Sequence, residues 1–557
     1  MGAIAGLVGS AALIHIVANT PLSVMCGVMT GICYSLGFFN RSESLAESVI
    51  TGSALGIPLW MLLSIIVSPG IAGQSPQWTP HGMQQKLPEL VGWMFYGAGL
   101  GITTQLLNRV LPWHMGTDPP STSQVVDVVK THIVIVGGGF AGMHTAATLE
   151  ELFGADRSVS ITLVSDTASL VFTPMLSEVA GGSLEPTHIS TPLRTALRRT
   201  EIVRSHVKEI HLGENRISVG PKGIDSDDKS RTLSYDHLVF ALGSQSNHMG
   251  IQNIGKKALH FKSLLDAIRI RNQVIESFER ADRELDHCAR RRLLTFVIAG
   301  GGFAGVELAG SLNDFARGIV ADYPHIRAQE LRIIVVHSRD RILPELSDPL
   351  ASYAQKRLAA RGVTFELNSH VRDVQNGVVI LDGGKEISSE TLVWTAGNKP
   401  NSLFDPNAVS HDELGCVIVD EMLSVPGHPG VWALGDCAVV VDSRSGQRCP
   451  RTAQFAVRQA QTVAKNVKAM IKGSPLAPFH FDSLGSLCVV GYHTACAELT
   501  VPIFKHKVRF SGLFAWLMWR TVYLSKLPGR ERKLRVIVDW IMETLFPRDI
   551  VQTIDLT

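Results

Sequence analysis

Four long apolar runs occupy the first fifth of the chain and set it apart from the rest. They cover about residues 3–18, 22–39, 46–67 and 90–111. Each is close to the roughly 20 residues that an α-helix needs to cross a bilayer. Thr20 and Pro21 punctuate the first two runs, which could therefore form a helical hairpin or one bent segment. We predict a transmembrane helical bundle over 1–115, with four spans or, in the second case, three.

A short glycine-rich repeat recurs inside these runs. GSALGI begins at Gly52, GAGLGI begins at Gly97, and a weaker copy, GVMTGI, begins at Gly27. Each copy holds two glycines four residues apart, the spacing that lets transmembrane helices approach closely. The alternative is a glycine-rich apolar region without specific packing, but three copies in separate runs favour a packed bundle. His15 and His114 do not predict a haem, which would need two facing histidines.

The pattern changes after a Pro-, Ser- and Thr-rich linker at 116–130. Two apolar strands then run directly into G-x-G-x-x-G turns, and each turn opens a helical pattern. The turns share the string GGGFAG, at residues 137–142 and 300–305. In this context the glycines let the backbone approach a pyrophosphate, and the helix N-terminus offers free N–H groups to it. Two such turns predict two dinucleotide sites in one chain.

Polar residues and small-residue turns at strand ends extend these sites. The strand after the first turn should end in a group that accepts ribose hydroxyls, and Ser165 stands there with Asp166 next to it. Three further strands end in turns that allow close backbone passage at a cofactor: YDHLVFALGS, ETLVWTAGNKP and GVWALGDCA. Asp436, in the last of these, can bond the ribitol hydroxyls of a flavin.

From about residue 130 to its C-terminus, the chain resembles the type II NADH:quinone oxidoreductases, within the two-dinucleotide-binding flavoprotein superfamily. Besides the glycine turns, the resemblance rests on FTPMLSEVAGGSLEPTHISTPLR from Phe172, LPE from Leu343 and AQFAVRQA from Ala453. It implies an α/β fold with two Rossmann-like domains and a membrane-associated C-terminal region. The implied boundaries are 131–290 and 401–475 for FAD, 291–400 for NAD(P)H and 476–557 for the C-terminal region.

The resemblance also implies hydride transfer from NADH or NADPH to tightly bound FAD, then reduction of a quinone, without proton pumping. The implied FAD contacts are Gly137, Gly139, Phe140, Ala141, Gly142, Ser165, Asp166, Thr173, Pro174, Val207, Ala241, Leu242, Gly243, Asp436, Gln454 and Phe455. The implied nicotinamide dinucleotide contacts are Gly300, Gly302, Phe303, Ala304, Gly305, Glu307, His337, Ser338, Arg339, Ala396 and Gly397. The candidate catalytic residues are Glu307, Gln454, Arg458 and Gln459. Glu307 could lie near the nicotinamide and flavin, or simply favour the helix dipole as a first-turn acid.

Two residues depart from the family pattern. His337 stands where the family has a Glu that accepts the NAD ribose hydroxyls and repels a 2′-phosphate. With Ser338 and Arg339 beside it, this change predicts that NADPH is tolerated; the alternative is that His337 bonds the ribose of NADH. Arg458 replaces the first of two paired glutamines in the quinone motif, while Gln454 and Gln459 match it. The identity of the acceptor is therefore open, and Arg458 could instead point to solvent or to lipid phosphate.

The C-terminal region has the composition of a membrane-surface segment. Nine Lys or Arg and one acid, Glu531, lie between Lys505 and Arg535, around the aromatic stretch FSGLFAWLMWRTVYL. That stretch is too short and too charged to span, but it suits an interfacial helix on anionic lipid. A buried core helix is the alternative.

Composition narrows the remaining choices. A formal net charge of +2 gives no reason to expect nucleic acid, and a mean hydropathy of +0.16 fits membrane segments. The eight cysteines form no C-x-x-C and no metal site, which argues against sulfide:quinone and disulfide reductases. A reductase with another acceptor, or a membrane redox sensor or scaffold, stays as an alternative. We expect an integral protein of the bacterial plasma membrane with a cytoplasmic catalytic part, and a homodimer is possible.

Overall fold

The computed structural model describes residues 30–31, 45–71, 73–75, 82, 85–110, 129–154, 156–221, 230–401, 409–501 and 506–552. These residues form two compact units. The smaller unit draws its described residues from 1–124, 493–495 and 510–534. The larger unit draws its own from 125–492, 496–509 and 535–557.

Two long apolar helices of the smaller unit pack through the glycine repeat. The helix Leu45–Trp60 continues through a π-helical stretch, Met61–Val67, and a final turn, Ser68–Ile71. It contacts the helix Leu87–Val110. A Cβ atom on Gly52 would overlap the carbonyl oxygen of Gly97, so only glycine permits this approach. The packing predicted from the repeat is confirmed for these two copies.

Large aromatic side chains extend this helix pair into a core. Trp60, Trp93 and Tyr96 are almost fully buried, and the Trp93 indole N–H donates to Ser64 Oγ at 2.9 Å. The helix Leu513–Lys526, which lies more than 400 residues later in the chain, packs Leu513 and Leu517 against the same cluster. The apolar N-terminal helices and the aromatic C-terminal helix therefore belong to one structural unit.

One described helix, Ser48–Gly70, is long and apolar enough to cross a membrane. The first two apolar runs lie outside the described residues apart from Thr30 and Gly31, as do His15 and His114. The number of spans, four or three, stays a prediction.

The larger unit contains two five-stranded parallel sheets, as the resemblance implied. The first runs in the order Val431–Ala433, His237–Phe240, Thr131–Val136, Val159–Ser165 and Glu201–Arg204. Its central strands are largely buried on both faces, as their nearly continuous apolar sequences require, whereas the edge strand Glu201–Arg204 is exposed at both of its ends. The helices Phe140–Phe153 and Ala453–Ile471 pack together over this core.

The second sheet repeats the arrangement, in the order Leu259–His260, Thr391–Trp394, Thr295–Ala299, Arg332–Val336 and Val363–Glu366. The strand Leu259–His260 belongs to this sheet although it precedes residue 291, where we predict the NAD(P)H domain to begin. Two residues are too few to give a periodic pattern, and only pairing with Thr391–Trp394 assigns them. Where the chain passes between the two sheets, Ser244–Ser246 pairs antiparallel with Asn398–Pro400.

The remaining elements surround these sheets. Three-stranded sheets comprise His206–His211, Arg216–Gly220 and Arg231–Ser234; Val371–Gln375, Val378–Leu381 and Glu386–Ser388; and Gly485–Val489, Ala495–Val501 and His506–Gly512. Two-stranded pairs are Ser169–Val171 with Ser190–Pro192, and Val417–Ile418 with Ala438–Val439. The other α-helices are Leu176–Ala180, Leu193–Ala196, Gln252–Lys257, Leu264–Arg283, His287–Leu293, Phe303–Ile319, Asp348–Ala359 and Arg530–Leu545.

Candidate functional site

The first glycine turn has the backbone geometry that a pyrophosphate site needs. Gly137 has a φ of 110°, and a Cβ there would overlap the carbonyl oxygen of Ala241. Gly142 lies so close to the Gly137 carbonyl that it also excludes a side chain. Nothing lies within 4 Å of the position that a Cβ of Gly139 would take, where the helix Phe140–Phe153 begins. The turn therefore leaves open space in front of a helix N-terminus, where an anion is favoured.

A cavity of about 200 Å³ adjoins this turn and is lined by half of the predicted FAD contacts. The predicted residues that line it are Gly137, Gly139, Ser165, Asp166, Val207, Ala241, Leu242 and Gly243. Val136, Gly138, Val164, Thr167, Ser205, His206 and Asn401 complete the lining and were not predicted. The cavity lies where strands of the parallel sheet end, the usual dinucleotide position in such folds.

The structure separates the roles of the two candidate ribose acceptors. Ser165 is buried against Gly138, and its Oγ accepts the backbone N–H of Thr167 at 3.2 Å. Asp166 is about half exposed, and its carboxylate lies 3.2 Å from His206 Nδ1. A carboxylate is also the stronger acceptor of the two. The geometry therefore favours Asp166 over Ser165 as the group that meets a ribose.

Asp436 belongs to a polar relay of three side chains. Its Oδ2 accepts the hydroxyl of Ser244 at 2.7 Å, and Ser244 Oγ in turn accepts Lys262 Nζ at 2.8 Å. Lys262 Nζ also lies 3.7 Å from Asp436 Oδ2. Neither Ser244 nor Lys262 was predicted, because they lie far from Asp436 in the chain and form no motif with it.

The segment that begins FTPML adjoins the first glycine turn. Phe172 packs edge-on against Phe140, with ring centroids 5.7 Å apart, and Thr173 and Pro174 follow in a 3-10 turn. Further along, Glu178 is buried and accepts the indole N–H of Trp540 at 3.0 Å. The predicted contacts Thr173 and Pro174 therefore lie on a segment that a C-terminal helix holds in place.

That helix, Arg530–Leu545, and Arg548 just after it make further polar contacts with the same segment. Asp539 Oδ2 lies 2.7 Å from His188 Nδ1, and Glu543 accepts the Ser183 hydroxyl at 2.8 Å. Arg548 donates to the Gly181 carbonyl and to Glu543. We call these contacts, together with Glu178–Trp540, the C-terminal latch.

The second glycine turn repeats the geometry of the first. Gly300 has a φ of 119° and lies against Thr395 and the backbone N–H of Ala396, while Gly305 lies against the Gly300 carbonyl. Gly302, Phe303 and Ala304 open the helix Phe303–Ile319, and Gly397, with a φ of 77°, follows Ala396. The predicted residues of this turn are thus brought together.

His337 occupies the place in the second turn that Ser165 holds in the first. The backbone N–H of Gly301 donates to His337 Nδ1 at 3.1 Å, which leaves the proton of the neutral ring on Nε2. Within the described part of the chain, Nε2 is buried and has no partner. Burial lowers the pKa of His337, and nearby Arg339 lowers it further. His337 is therefore a neutral donor that a ligand oxygen would satisfy.

Two residues of the LPE string also meet the second turn. Leu343 has a φ of 50°, an uncommon conformation for a residue with a side chain, and its N–H donates to the Gly301 carbonyl at 2.7 Å. The Glu345 carboxylate comes within 3.4 Å of where a Cβ on Gly302 would lie. In the sequence, the LPE string is only part of the family resemblance. In the structure, it lies against the second glycine turn.

Glu307 is buried near the start of the helix Phe303–Ile319. Its Oε1 accepts the backbone N–H of Val489 at 3.2 Å, in the strand Gly485–Val489. This contact is an additional role, beyond the catalytic and helix-dipole roles considered from the sequence.

The three candidate quinone residues point in different directions. Gln459 is buried, and its Oε1 accepts the N–H of Gly435 at 2.8 Å, which supports the turn that carries Asp436. Gln454 donates to Ser483 Oγ at 3.3 Å. The Arg458 guanidinium lies 5.4 Å from the centre of the Phe481 ring and donates to Gln461. The Phe455 ring packs edge-on against the Phe481 ring. Arg458 is thus held by an aromatic and an amide group, rather than left free.

Cys437, next to Asp436, is buried, and burial raises the pKa of its thiol to about 12. Its Sγ lies 3.3 Å from the Leu434 carbonyl oxygen. The thiolate needed for sulfur chemistry is therefore disfavoured. This agrees with a packing role for Cys437.

Comparison with known proteins places the chain in a family. The pyridine nucleotide-disulphide oxidoreductase family model matches residues 131–460, and the NDH2 C-terminal domain model matches residues 483–549. The type II NADH:quinone oxidoreductase NdhA of Mycobacterium tuberculosis is 32% identical over 428 residues, which cover 74% of this chain and 86% of that protein. The chain belongs to the type II NADH:quinone oxidoreductase family.

Other type II NADH:quinone oxidoreductase relatives agree with this assignment. The mitochondrial internal alternative NAD(P)H-ubiquinone oxidoreductase A1 of Arabidopsis thaliana is 27% identical, over 76% of this chain and 85% of its own. The structure of NDH2 from Plasmodium falciparum in complex with NADH superposes with a TM-score of 0.69 at 19% identity, over 76% of this chain and all of that one. The shared fold confirms the two Rossmann-like domains.

Proposed function

We propose that this protein is a membrane-bound oxidoreductase that takes a hydride from NADH or NADPH onto FAD and delivers the electrons to a quinone. The observation that carries the proposal is the pair of matched glycine turns, one beside the FAD-type cavity and one beside His337, in a chain of this family. FAD, when bound, supplies the redox chemistry, and the chain supplies binding, orientation and electrostatics.

On the FAD side, the residues present fit the cofactor. The open space at Gly139 and the free helix N-terminus suit the diphosphate, and Asp166 suits a ribose. Asp436 has one oxygen engaged by Ser244, and its other oxygen can accept a ribitol hydroxyl.

On the nicotinamide side, His337 sets the choice of dinucleotide. Its buried Nε2–H needs an acceptor, and both a ribose hydroxyl and a 2′-phosphate provide one. Exposed Ser338 and Arg339 adjoin it and add donors suited to a phosphate. We propose that both NADH and NADPH are used.

Electrons leave through the region around the helix Ala453–Ile471. Gln454 and Arg458 lie on this helix, Arg458 lies over the Phe481 ring, and Phe481 packs on the buried Phe455, so aromatic and polar groups of the kind that suit a quinone are close together here. Glu307 contributes a buried carboxylate near the second turn. The catalytic roles of Glu307, Gln454, Arg458 and Gln459 remain part of the proposal.

Two features support membrane attachment. The helix Ser48–Gly70 has the length and composition of a span. The helix Arg530–Leu545 exposes Val538, Ile541, Met542 and Leu545 at helical spacing on the face away from the C-terminal latch. An apolar stripe next to Arg530, Arg532 and Lys533 suits an anionic lipid surface. The bacterial plasma membrane, a cytoplasmic catalytic part and a homodimer stay predictions.

The test is stepwise flavin reduction in the purified full chain. Under anaerobic conditions, NADH or NADPH should bleach the flavin spectrum, and a short-chain ubiquinone or menaquinone should restore it. Gly300→Val should keep the flavin but abolish bleaching, because the second turn cannot admit a side chain. Gly137→Val should lose the flavin. A wild-type protein that binds FAD but is reduced by neither dinucleotide would overturn the proposal and favour a sensor or scaffold.

A further inference from the structure

We infer that Lys262 is a positioning residue for FAD, acting through Ser244 and Asp436. This inference rests on the proposed function, because it assumes that Asp436 meets the cofactor. The three side chains form one chain of hydrogen bonds, from Lys262 Nζ to Ser244 Oγ at 2.8 Å and from Ser244 Oγ to Asp436 Oδ2 at 2.7 Å. The relay, rather than Asp436 alone, is the unit that the cofactor meets.

The backbone around Lys262 is held by hydrogen bonds within the protein. Asp266 Oδ2 accepts the N–H groups of Lys262 and Ser263 at 3.0 and 2.8 Å, and Ser263 caps the helix Leu264–Arg283. A capping box of this kind satisfies otherwise free donors on both sides of the helix start. Only the lysine side chain, which is 37% exposed, retains freedom, and the relay directs it.

The relay joins three segments that are distant in the sequence. Ser244 begins the strand Ser244–Ser246, which lies between the two sheets in the sequence. Lys262 follows the strand Leu259–His260 of the second sheet, and Asp436 lies in the turn after the strand Val431–Ala433 of the first sheet. Gln459 holds that turn from the other side through Gly435. The carboxylate of Asp436 is therefore oriented by partners that both domains supply.

Charge gives Lys262 its second role. In the described part of the chain, Ser244 donates a hydrogen bond to the Asp436 carboxylate, and Lys262 Nζ is the cation that lies 3.7 Å from Asp436 Oδ2. Without the lysine, Asp436 would present an unbalanced negative charge to a cofactor whose diphosphate is also negative. With it, Asp436 can orient a hydroxyl without repelling the cofactor. Hydrogen bonds to charged groups contribute enough that losing this one should weaken FAD binding about tenfold.

The experiment compares five variants of the full-length protein in detergent. Lys262→Met removes the charge, Lys262→Arg keeps it, Ser244→Ala breaks the relay, and a double variant combines Lys262→Met with Ser244→Ala. Lys256→Met is the control, because it removes the same charge from an exposed lysine elsewhere. Flavin fluorescence gives the FAD dissociation constant, and thermal unfolding with and without added FAD gives the stabilisation that FAD provides.

We expect Lys262→Met to raise the FAD dissociation constant about tenfold and to shrink the FAD-dependent rise in Tm. Lys262→Arg should restore most of the affinity, and Lys256→Met should leave it unchanged. Because both residues act through one relay, the double variant Lys262→Met with Ser244→Ala should cost less than the sum of the two single effects.

A purely structural lysine would lower Tm equally with and without FAD, and that result would overturn the inference. So would an unchanged dissociation constant in Lys262→Met. Failure of the proposed function looks different, because the wild-type protein itself would then bind no FAD or would not be reduced by a dinucleotide.

Discussion

The sharpest prediction concerns His337 and the choice between NADH and NADPH. We expect His337→Glu to abolish most NADPH use while sparing NADH. The glutamate carboxylate can still accept the Gly301 N–H that His337 Nδ1 accepts at 3.1 Å, so the turn should keep its shape. What changes is the charge of the side chain, from a neutral imidazole to a negative carboxylate.

The magnitude follows from that change of charge. A carboxylate and a phosphate charge 4 Å apart repel by about 4 kcal/mol at an effective dielectric constant of 20. Exposed Ser338 and Arg339 admit water and supply a counter-charge, so we take about 1.5 to 3 kcal/mol. This corresponds to a loss of roughly 10- to 100-fold in kcat/KM for NADPH. NADH carries no 2′-phosphate and should change by less than about threefold.

The assay measures kcat/KM for both dinucleotides with a water-soluble quinone, in the wild type and in His337→Glu. Lys356→Gln is the matched control, because it makes the same charge change on an exposed helix of the same domain. An unchanged ratio of NADPH to NADH in His337→Glu would refute the reasoning. So would a wild-type enzyme that cannot use NADPH at all.

The pH dependence of the wild type follows from the same residue. Because burial lowers the pKa of His337, the ring is neutral at pH 7 and gains its proton only as the pH falls below the usual range for histidine. The protonated ring adds a positive charge beside a 2′-phosphate. The preference for NADPH relative to NADH should therefore rise on acidification in the wild type, and it should not rise in a His337→Gln variant.

Three further predictions concern stability and reactivity. Gly52→Leu should lower the Tm of the detergent-solubilised protein by several degrees, because the new side chain would overlap the Gly97 carbonyl. Gly99→Leu is the control and should not lower the Tm, because Gly99 faces open space. Equal effects of the two substitutions would contradict the helix packing. Arg548→Met should lower the free energy of unfolding by about 1 to 3 kcal/mol, because it leaves the Gly181 carbonyl and Glu543 without this donor. Arg444→Met, at an exposed arginine, is the control. The third test is iodoacetamide labelling at pH 8 followed by mass spectrometry. Exposed Cys288 should react and buried Cys437 should not, because burial raises the pKa of Cys437 to about 12. Rapid labelling of Cys437 in the folded protein would contradict its packing role.

Local pattern was sufficient to predict the parts of the molecule that repeat. Each glycine turn can be identified as a dinucleotide site from a segment of about 25 residues, because the strand, the turn and the helix follow one another directly. The glycine repeat likewise predicted that the helices around Gly52 and Gly97 pack closely, and the structure confirms this contact. In both cases a short local motif carries the information: the strand, turn and helix are contiguous, and each helix bears its own copy of the glycine spacing.

What could not be predicted depends on residues that are distant in the chain. Ser244 and Asp436 are 192 residues apart, and Glu178 and Trp540 are 362 apart, so no spacing marks either contact. The two-residue strand Leu259–His260 has no period to detect. Gln459 matched a quinone motif, yet its amide supports the Gly435 turn, because the helix rotation that directs a side chain is set by packing and not by the motif.

The packing of the helix Leu513–Lys526 against Trp60 and Trp93 has a consequence for biosynthesis. The ribosome makes the N-terminal helices first, at a stage when the aromatic cluster is still incomplete. Some 400 residues, including both Rossmann-like domains, are translated and begin to fold before the partner helix emerges. Closing so long a loop is slow, so assembly of this unit is expected to be a late step. Until then, the tryptophans lack this partner, and truncation near the C-terminus would leave the smaller unit as an unfinished intermediate.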